Sequence, residues 1–231
     1  MTIWAIVPAA GIGQRMATEI PKQYLELAGK PVILRSLEKL LAVPALESIV
    51  VTLHAEDNYF HSLNMPDDRI ETTTGGSERQ QSVLNGLLYL EGRARDEDWV
   101  LVHDAVRPCV QTKDIEQLLG QLAQHKVGGL LATPQDNTLK RADELNEVVA
   151  TESREQLWQA LTPQMFPYAL LKQALLNAQE HDLPVTDEAS AVEALGPKPL
   201  LVEGDRNNIK ITRAADLRLA ELILQAEETS Q

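Results

Sequence analysis

The sequence predicts an α/β protein built on a mostly parallel, twisted β-sheet with helices on both faces. Short apolar, β-branched runs alternate with amphipathic stretches along most of the 231 residues, as crossover helices between parallel strands require. The runs are almost continuously apolar, which suits strands buried on both faces. Polar, often glycine-bearing clusters follow several runs, at the strand ends where open parallel sheets bind ligands.

The elements follow in order. "TIWAIV" is the first strand. Its neighbourhood loosely imitates a signal peptide, but no Lys or Arg precedes it and the apolar run is too short. "PVILRSLEKLLA", Pro31 to Ala42, has helical spacing, with proline at the first helical position. "ESIVVTL" is a strand, and Gly75-Gly76-Ser77 follows a third one. Glu78 then leads into "RQQSVLNGLLYL", whose apolar face comprises Val83, Leu84, Leu87, Leu88 and Leu90. "DWVLVHD" is the fourth strand, followed by the helical "TKDIEQLLGQLAQH", and "GGLLAT" and "PLLVEG" are further strands. "TRAADLRLAELILQA" is the last helix, with Thr212 as its N-cap, and the tail "EETSQ" is expected to fray.

One region breaks the alternation. Thr138 to Thr151 reads as two short extended pieces around a polar turn. An arm over 137–155 that packs on a partner fits this pattern, and so does a local edge hairpin. With no repeats and no linker, the expectation is a single domain over 1–231 carrying that excursion.

Composition is ordinary for a globular chain, 44% hydrophobic and 24% charged. The formal net charge of −13 argues against nucleic acid as a main partner but leaves small phosphorylated ligands open. A single cysteine, Cys109, excludes an internal disulfide and fits a reducing, cytoplasmic setting. It is read as a buried structural thiol. Nothing approaches the roughly 18 apolar residues of a membrane span.

The stretch "IVPAAGIGQRMATEIPKQY", Ile6 to Tyr24, places a Gly-rich turn directly after a strand, with Arg15 and Lys22 beyond it. Backbone amides in such a turn can approach phosphates while the cations hold their charge. An ordinary strand-to-helix turn with surface cations is equally compatible. The phrase is not a P-loop, and Met16 stands where a dinucleotide fingerprint needs its third glycine. Asp104 ends a strongly apolar strand, as a Mg²⁺ ligand or as a strand-end cap. His103 beside it is read as structural. No zinc spacing and no Gly-x-Ser-x-Gly elbow is present. Lys210, Arg154 and Arg107 carry meaning only in combination.

Six separated motifs, "PAAGIGQRM…PKQY", "GGSERQQSV", "VHDAVRP", "LTPQ", "TDEASA" and "NNIKIT", occur in the order and spacing of one family. Together they resemble the 2-C-methyl-D-erythritol 4-phosphate cytidylyltransferases. The resemblance implies a Rossmann-like nucleotidyltransferase fold. It also implies transfer of CMP from CTP to methylerythritol phosphate with release of pyrophosphate, in the non-mevalonate isoprenoid pathway. Mg²⁺ or another divalent cation, and a homodimer with exchanged arms, are implied as well.

By that likeness Arg15 and Lys22 stabilise charge on the α-phosphate and leaving group. Pro8, Ala9, Ala10, Gly11 and Gly13 wrap the nucleotide, and Gly76 and Ser82 complete the cytidine pocket. Asp104 lies beside metal, nucleotide and substrate phosphate, next to Ala105. Arg107 and Lys210 line the same site, with Lys210 holding the attacking phosphate. Thr138, Arg154 and Thr162 come from the partner chain, while Thr186 touches the erythritol phosphate. Ser77 stands where some relatives carry an acid, and Val106 replaces a common alanine. The alternatives are a cytidylyltransferase for ribitol 5-phosphate or another polyol phosphate, and a nucleotide-sensing protein without turnover.

Overall fold

The computed structural model describes residues 2–11, 20–63 and 67–229. The chain begins with β1 (Ile3–Pro8), the short β2 (Glu26–Leu27) and β3 (Lys30–Pro31), then α1 (Val32–Leu41) and β4 (Leu46–Leu53). β5 (Ile70–Thr74), α2 (Arg79–Tyr89), β6 (Trp99–Val102), α3 (Thr112–Leu122) and β7 (Gly129–Pro134) follow. A hairpin of β8 (Leu139–Ala142) and β9 (Val148–Glu152) leads into β10 (Trp158–Pro167). The chain closes with α4 (Tyr168–Glu180), α5 (Glu188–Glu193), β11 (Leu200–Glu203) and α6 (Ala214–Glu228).

Seven strands form one sheet in the order β11-β7-β10-β6-β1-β4-β5. All neighbours are parallel except β10, which runs antiparallel between β6 and β7. Successive side chains of β1 part to opposite faces, as strand geometry dictates. Ile3, Ala5 and Val7 pack with α1 and α3 through Ile33, Leu37, Ile115 and Leu118. Trp4 and Ile6 pack with α2, α4 and α5 through Val83, Leu87, Leu171 and Val192. A smaller cluster seats α6 on the body, where Ala220 and Leu224 meet Leu27, Val32, Val106, Cys109 and Ile211. Val106 is thus anchored by apolar neighbours. Cys109 is fully buried, and burial pushes its thiol up to about 12, so it is the structural thiol expected.

Several expectations change. β10 and α4 had no counterpart in the sequence reading, and β10 makes the sheet mixed. Pro31 flanks α1 as its N-cap rather than occupying the first helical position. Leu88 is 42% exposed and lies off the buried face of α2. Thr212 does not cap α6, because Arg213 is the N-cap; the Thr212 hydroxyl instead donates to Asp216. The tail is ordered further than expected: α6 continues through Glu228, and Glu227 pairs with Lys39 at 2.6 Å. The 138–151 excursion is an antiparallel hairpin forming its own two-stranded sheet. Among the described residues no helix is long and apolar enough to cross a membrane.

Candidate active site

The carboxyl ends of β1, β5 and β6 open on one cavity of about 540 Å³. Pro8, Ala9, Ala10 and Gly11 form one wall, Gly76 to Arg79 and Ser82 another, and Asp104, Ala105, Lys22 and Lys210 also face it. Buried Gln23 secures the first wall by donating to the main-chain oxygens of Ala9 at 2.8 Å and Gly11 at 3.2 Å. On the second wall Ser82 Oγ accepts from the Gly76 amide at 3.0 Å. The walls meet closely at Gly75, where a Cβ atom would lie 2.6 Å from that of Ala10. Only a residue without a side chain lets them approach this far.

Asp104 is the electrostatic centre. Its Oδ1 accepts from Arg79 Nε at 2.8 Å, and its Oδ2 faces Lys210 Nζ at 2.9 Å and Arg107 Nε at 3.3 Å. Burial alone would raise the Asp104 carboxyl, but the Arg79, Lys210 and Arg107 charges hold it far below the usual carboxylate range. Arg79 in turn forks onto Glu188, which is 1% exposed. Burial disfavours the charged Arg79 side chain, yet Glu188 and Asp104 together raise its pKa. Lys22 Nζ donates to the Ile211 carbonyl at 3.3 Å, beside Lys210. A chain of net charge −13 therefore concentrates cations at this strand-end cavity.

His103 and Thr162 support the centre from behind. The Thr162 hydroxyl oxygen accepts the Asp104 amide at 3.1 Å and bonds His103 Nδ1 at 3.0 Å, while His103 Nε2 meets the Arg107 carbonyl at 3.1 Å. A carbonyl only accepts, so Nε2 carries the proton and Nδ1 accepts from Thr162. Burial lowers His103 to about 4, which keeps the ring neutral. Its structural reading holds.

The sequence-derived residues separate into groups. Pro8, Ala9, Ala10, Gly11, Lys22, Gly76, Ser82, Asp104, Ala105 and Lys210 share the cavity. Arg107 lines an adjoining cavity of about 350 Å³, and Lys210 belongs to both. Thr162 is a correction: it is buried behind Asp104 of its own chain, so it is not supplied by a partner's arm. Thr138 and Arg154 are exposed at the hairpin base, where Arg154 bonds the Asp136 carbonyl. Thr186 is exposed beside Arg79, in a separate small recess. Gly13 and Arg15 lie outside the described residues. Arg79 and Glu188 were not singled out from sequence, although both fall within the motifs quoted above.

Among the described residues no group of three or more His, Cys, Asp or Glu side chains could cage a metal. One carboxylate facing the cavity, Asp104, still suits Mg²⁺, which keeps waters and takes other oxygens from substrate phosphates.

The comparisons with known proteins agree with this geometry. The family model described as 2-C-methyl-D-erythritol 4-phosphate cytidylyltransferase matches residues 3–226. A Pseudomonas putida protein of that name is 51% identical over 216 residues, covering 93% of this chain and 92% of the relative. The crystal structure of the Francisella tularensis protein of that name superposes with a TM-score of 0.85 at 37% identity, covering 96% of this chain and all of the other. A crystal structure of a 4-diphosphocytidyl-2C-methyl-D-erythritol synthase gives the same TM-score at 36% identity, covering 96% and 98% of the two chains. The chain belongs to the 2-C-methyl-D-erythritol 4-phosphate cytidylyltransferase family.

Proposed function

We infer that this protein transfers CMP from CTP to 2-C-methyl-D-erythritol 4-phosphate in isoprenoid biosynthesis. An oxygen of the acceptor phosphate attacks the α-phosphorus of CTP. One phosphorus–oxygen bond forms, the α–β bridge breaks, and pyrophosphate leaves with its electrons. Two polyanions must meet, so the protein's task is positioning and charge compensation. The convergence of Arg79, Arg107 and Lys210 on buried Asp104, across the cavity from the Pro8–Gly11 turn, is the observation that carries this reading.

In this reading CTP occupies the larger cavity, its phosphates toward Lys22 and the amides of the turn. By the family likeness Arg15 adds its charge to stabilising the leaving group. The acceptor phosphate enters from the adjoining cavity and meets Lys210, whose ammonium is common to both. Asp104 holds that lysine and Arg107 until the substrate anions take their place as partners. Asp104 would hold Mg²⁺, which would supply further charge neutralisation when bound.

We also propose a cytoplasmic homodimer in which each hairpin serves the neighbouring copy. Thr138 and Arg154 are exposed and absent from their own chain's larger cavity. Leu145 and Val148 on the hairpin are 78% and 64% exposed, apolar surface that a second copy can cover. Arg154 suits bidentate contact with the acceptor phosphate, which lysine does not reproduce.

The test is pyrophosphate release with Mg²⁺, crossing CTP, UTP, ATP and GTP with methylerythritol 4-phosphate and ribitol 5-phosphate. Release is expected only with CTP plus methylerythritol phosphate. Lys22→Ala and Arg154→Ala each lower it on the order of 10²-fold, as loss of a preorganised charge contact does. Release with ribitol phosphate alone reassigns the acceptor. Tight CTP binding without release from any pair makes the protein a sensor.

A further inference from the structure

Glu188 opens α5 and is 1% exposed. Both of its oxygens face Arg79, with Nη1 at 2.6 Å and Nη2 at 3.0 Å. Two-point contact fixes the plane of a guanidinium, so the remaining edge can point in only one direction. That edge, Nε–H, meets Asp104 Oδ1 at 2.8 Å. The other oxygen, Oδ2, is shared by Lys210 and Arg107. Arg79 alone therefore opposes the rotation of the Asp104 carboxylate toward those two cations, among the contacts of the described residues.

The nucleotide wall keeps its shape by other means. The Gly76 amide donates to Ser82 Oγ at 3.0 Å, and the Ser77 amide to Gln81 Oε1 at 3.1 Å. None of these bonds uses the Arg79 side chain. Glu188 itself is not among the residues lining the large cavity. Its position is explained neither by nucleotide contact nor by exposure to solvent. Burying a carboxylate is costly unless it is paired, and the pairing of Glu188 is with Arg79.

We propose that Glu188 is a positioning residue for the second substrate: by clamping Arg79 it orients Asp104, and through Asp104 it places Lys210 and Arg107. The inference rests on the proposed function and deepens it. It assigns the "TDEASA" segment to the acceptor half of the reaction through the Glu188–Arg79 contact.

The experiment uses Glu188→Gln, which keeps the shape but removes the charge, and Arg79→Lys, which keeps the charge but removes the fork. Pyrophosphate release is measured with each substrate varied in turn, and CTP affinity by calorimetry without acceptor. The KM for methylerythritol phosphate should rise about 10-fold or more and kcat fall, as sub-ångström misplacement of a reacting group demands. In Glu188→Gln, whose side chain does not line the nucleotide cavity, CTP affinity should change by less than about 3-fold. The double variant should be no worse than the poorer single one, since the two side chains act as one unit. Parallel losses for both substrates, or unfolding of both variants, make Glu188 merely structural and overturn the inference. So do active variants with unchanged constants. A wild-type protein that releases no pyrophosphate with any acceptor overturns the proposed function, and the inference with it.

Discussion

The amide nitrogen of Gln23 donates to the carbonyl oxygens of Ala9 and Gly11, tying a side chain that is 4% exposed to the turn after β1. Those two bonds fix the turn, whose Ala9 amide itself donates to the Thr52 carbonyl at 2.9 Å. Gln23→Leu removes both hydrogen bonds and deprives the buried Ala9 carbonyl of this donor, at a cost of about 1–3 kcal/mol. Urea unfolding measures that loss. The KM for CTP should rise while that for the acceptor changes little.

Asp104→Asn tests the charge balance at the centre. Arg79, Arg107 and Lys210 then face a neutral amide, and breaking such a buried cluster costs about 3–5 kcal/mol. A polyanion can replace the missing charge, so pyrophosphate should raise the Tm of the variant more than that of the wild type. Equal shifts would show that these cations do not address the anion site.

His103 makes an acid-sensitive contribution. Its pKa falls from the ordinary 6.5 to about 4 on burial, so the unfolded chain takes up the proton first as the pH drops. Stability from the neutral ring is complete above pH 6.5 and is lost between there and 4, about 3 kcal/mol in all. Urea midpoints of wild type and His103→Asn, compared from pH 7.5 to 4.5, should converge toward the acid end. A constant gap between them would sink the assignment.

The hairpin prediction concerns assembly. Val148→Glu with Val149→Glu places charges on surface now 64% exposed at both positions, which blocks an apolar contact between copies. Sedimentation should show a dimer for the wild type and monomers for the variant, with turnover falling in step. The far-ultraviolet circular dichroism should not change.

Cys109 should resist a thiol reagent in the native protein and react fully in denaturant. Burial removes access and also raises the thiol to about 12, so almost no thiolate exists at neutral pH. Rapid native labelling would contradict the packing beneath α6.

Much of the architecture was legible in sequence because parallel strands buried on both faces leave unbroken apolar runs. β1, β4, β6, β7 and β11 all fall on such runs. β10 was not legible. Its first three residues are exposed and its centre carries Thr162, Pro163 and Gln164, composition that reads as a loop. β5, "IETTT", is an edge strand too polar to read as buried, and only the glycines after it marked its end. At the site, glycines and strand-end acids were visible because their chemistry is local. Arg79 and Glu188 were not, because they are 109 positions apart and only folding reveals that the carboxylate is buried. The resemblance assigns Thr162 to the partner chain, whereas its nearness to Asp104 depends on an antiparallel strand that the pattern conceals.

β10 is continuous from Trp158 at the hairpin base to the centre of the sheet, and Thr162 on it touches the Asp104 amide. β7 pairs with this strand at Trp158–Ala160 and again at Gln164–Met165, with a shift of register between, while β6 holds Gln164–Pro167. A disturbance at the hairpin base has a backbone route to the charge centre, through the stretch where the pairing with β7 shifts register. In the proposed dimer, a neighbour seated on the hairpin would bear on the alignment of Asp104 by that route.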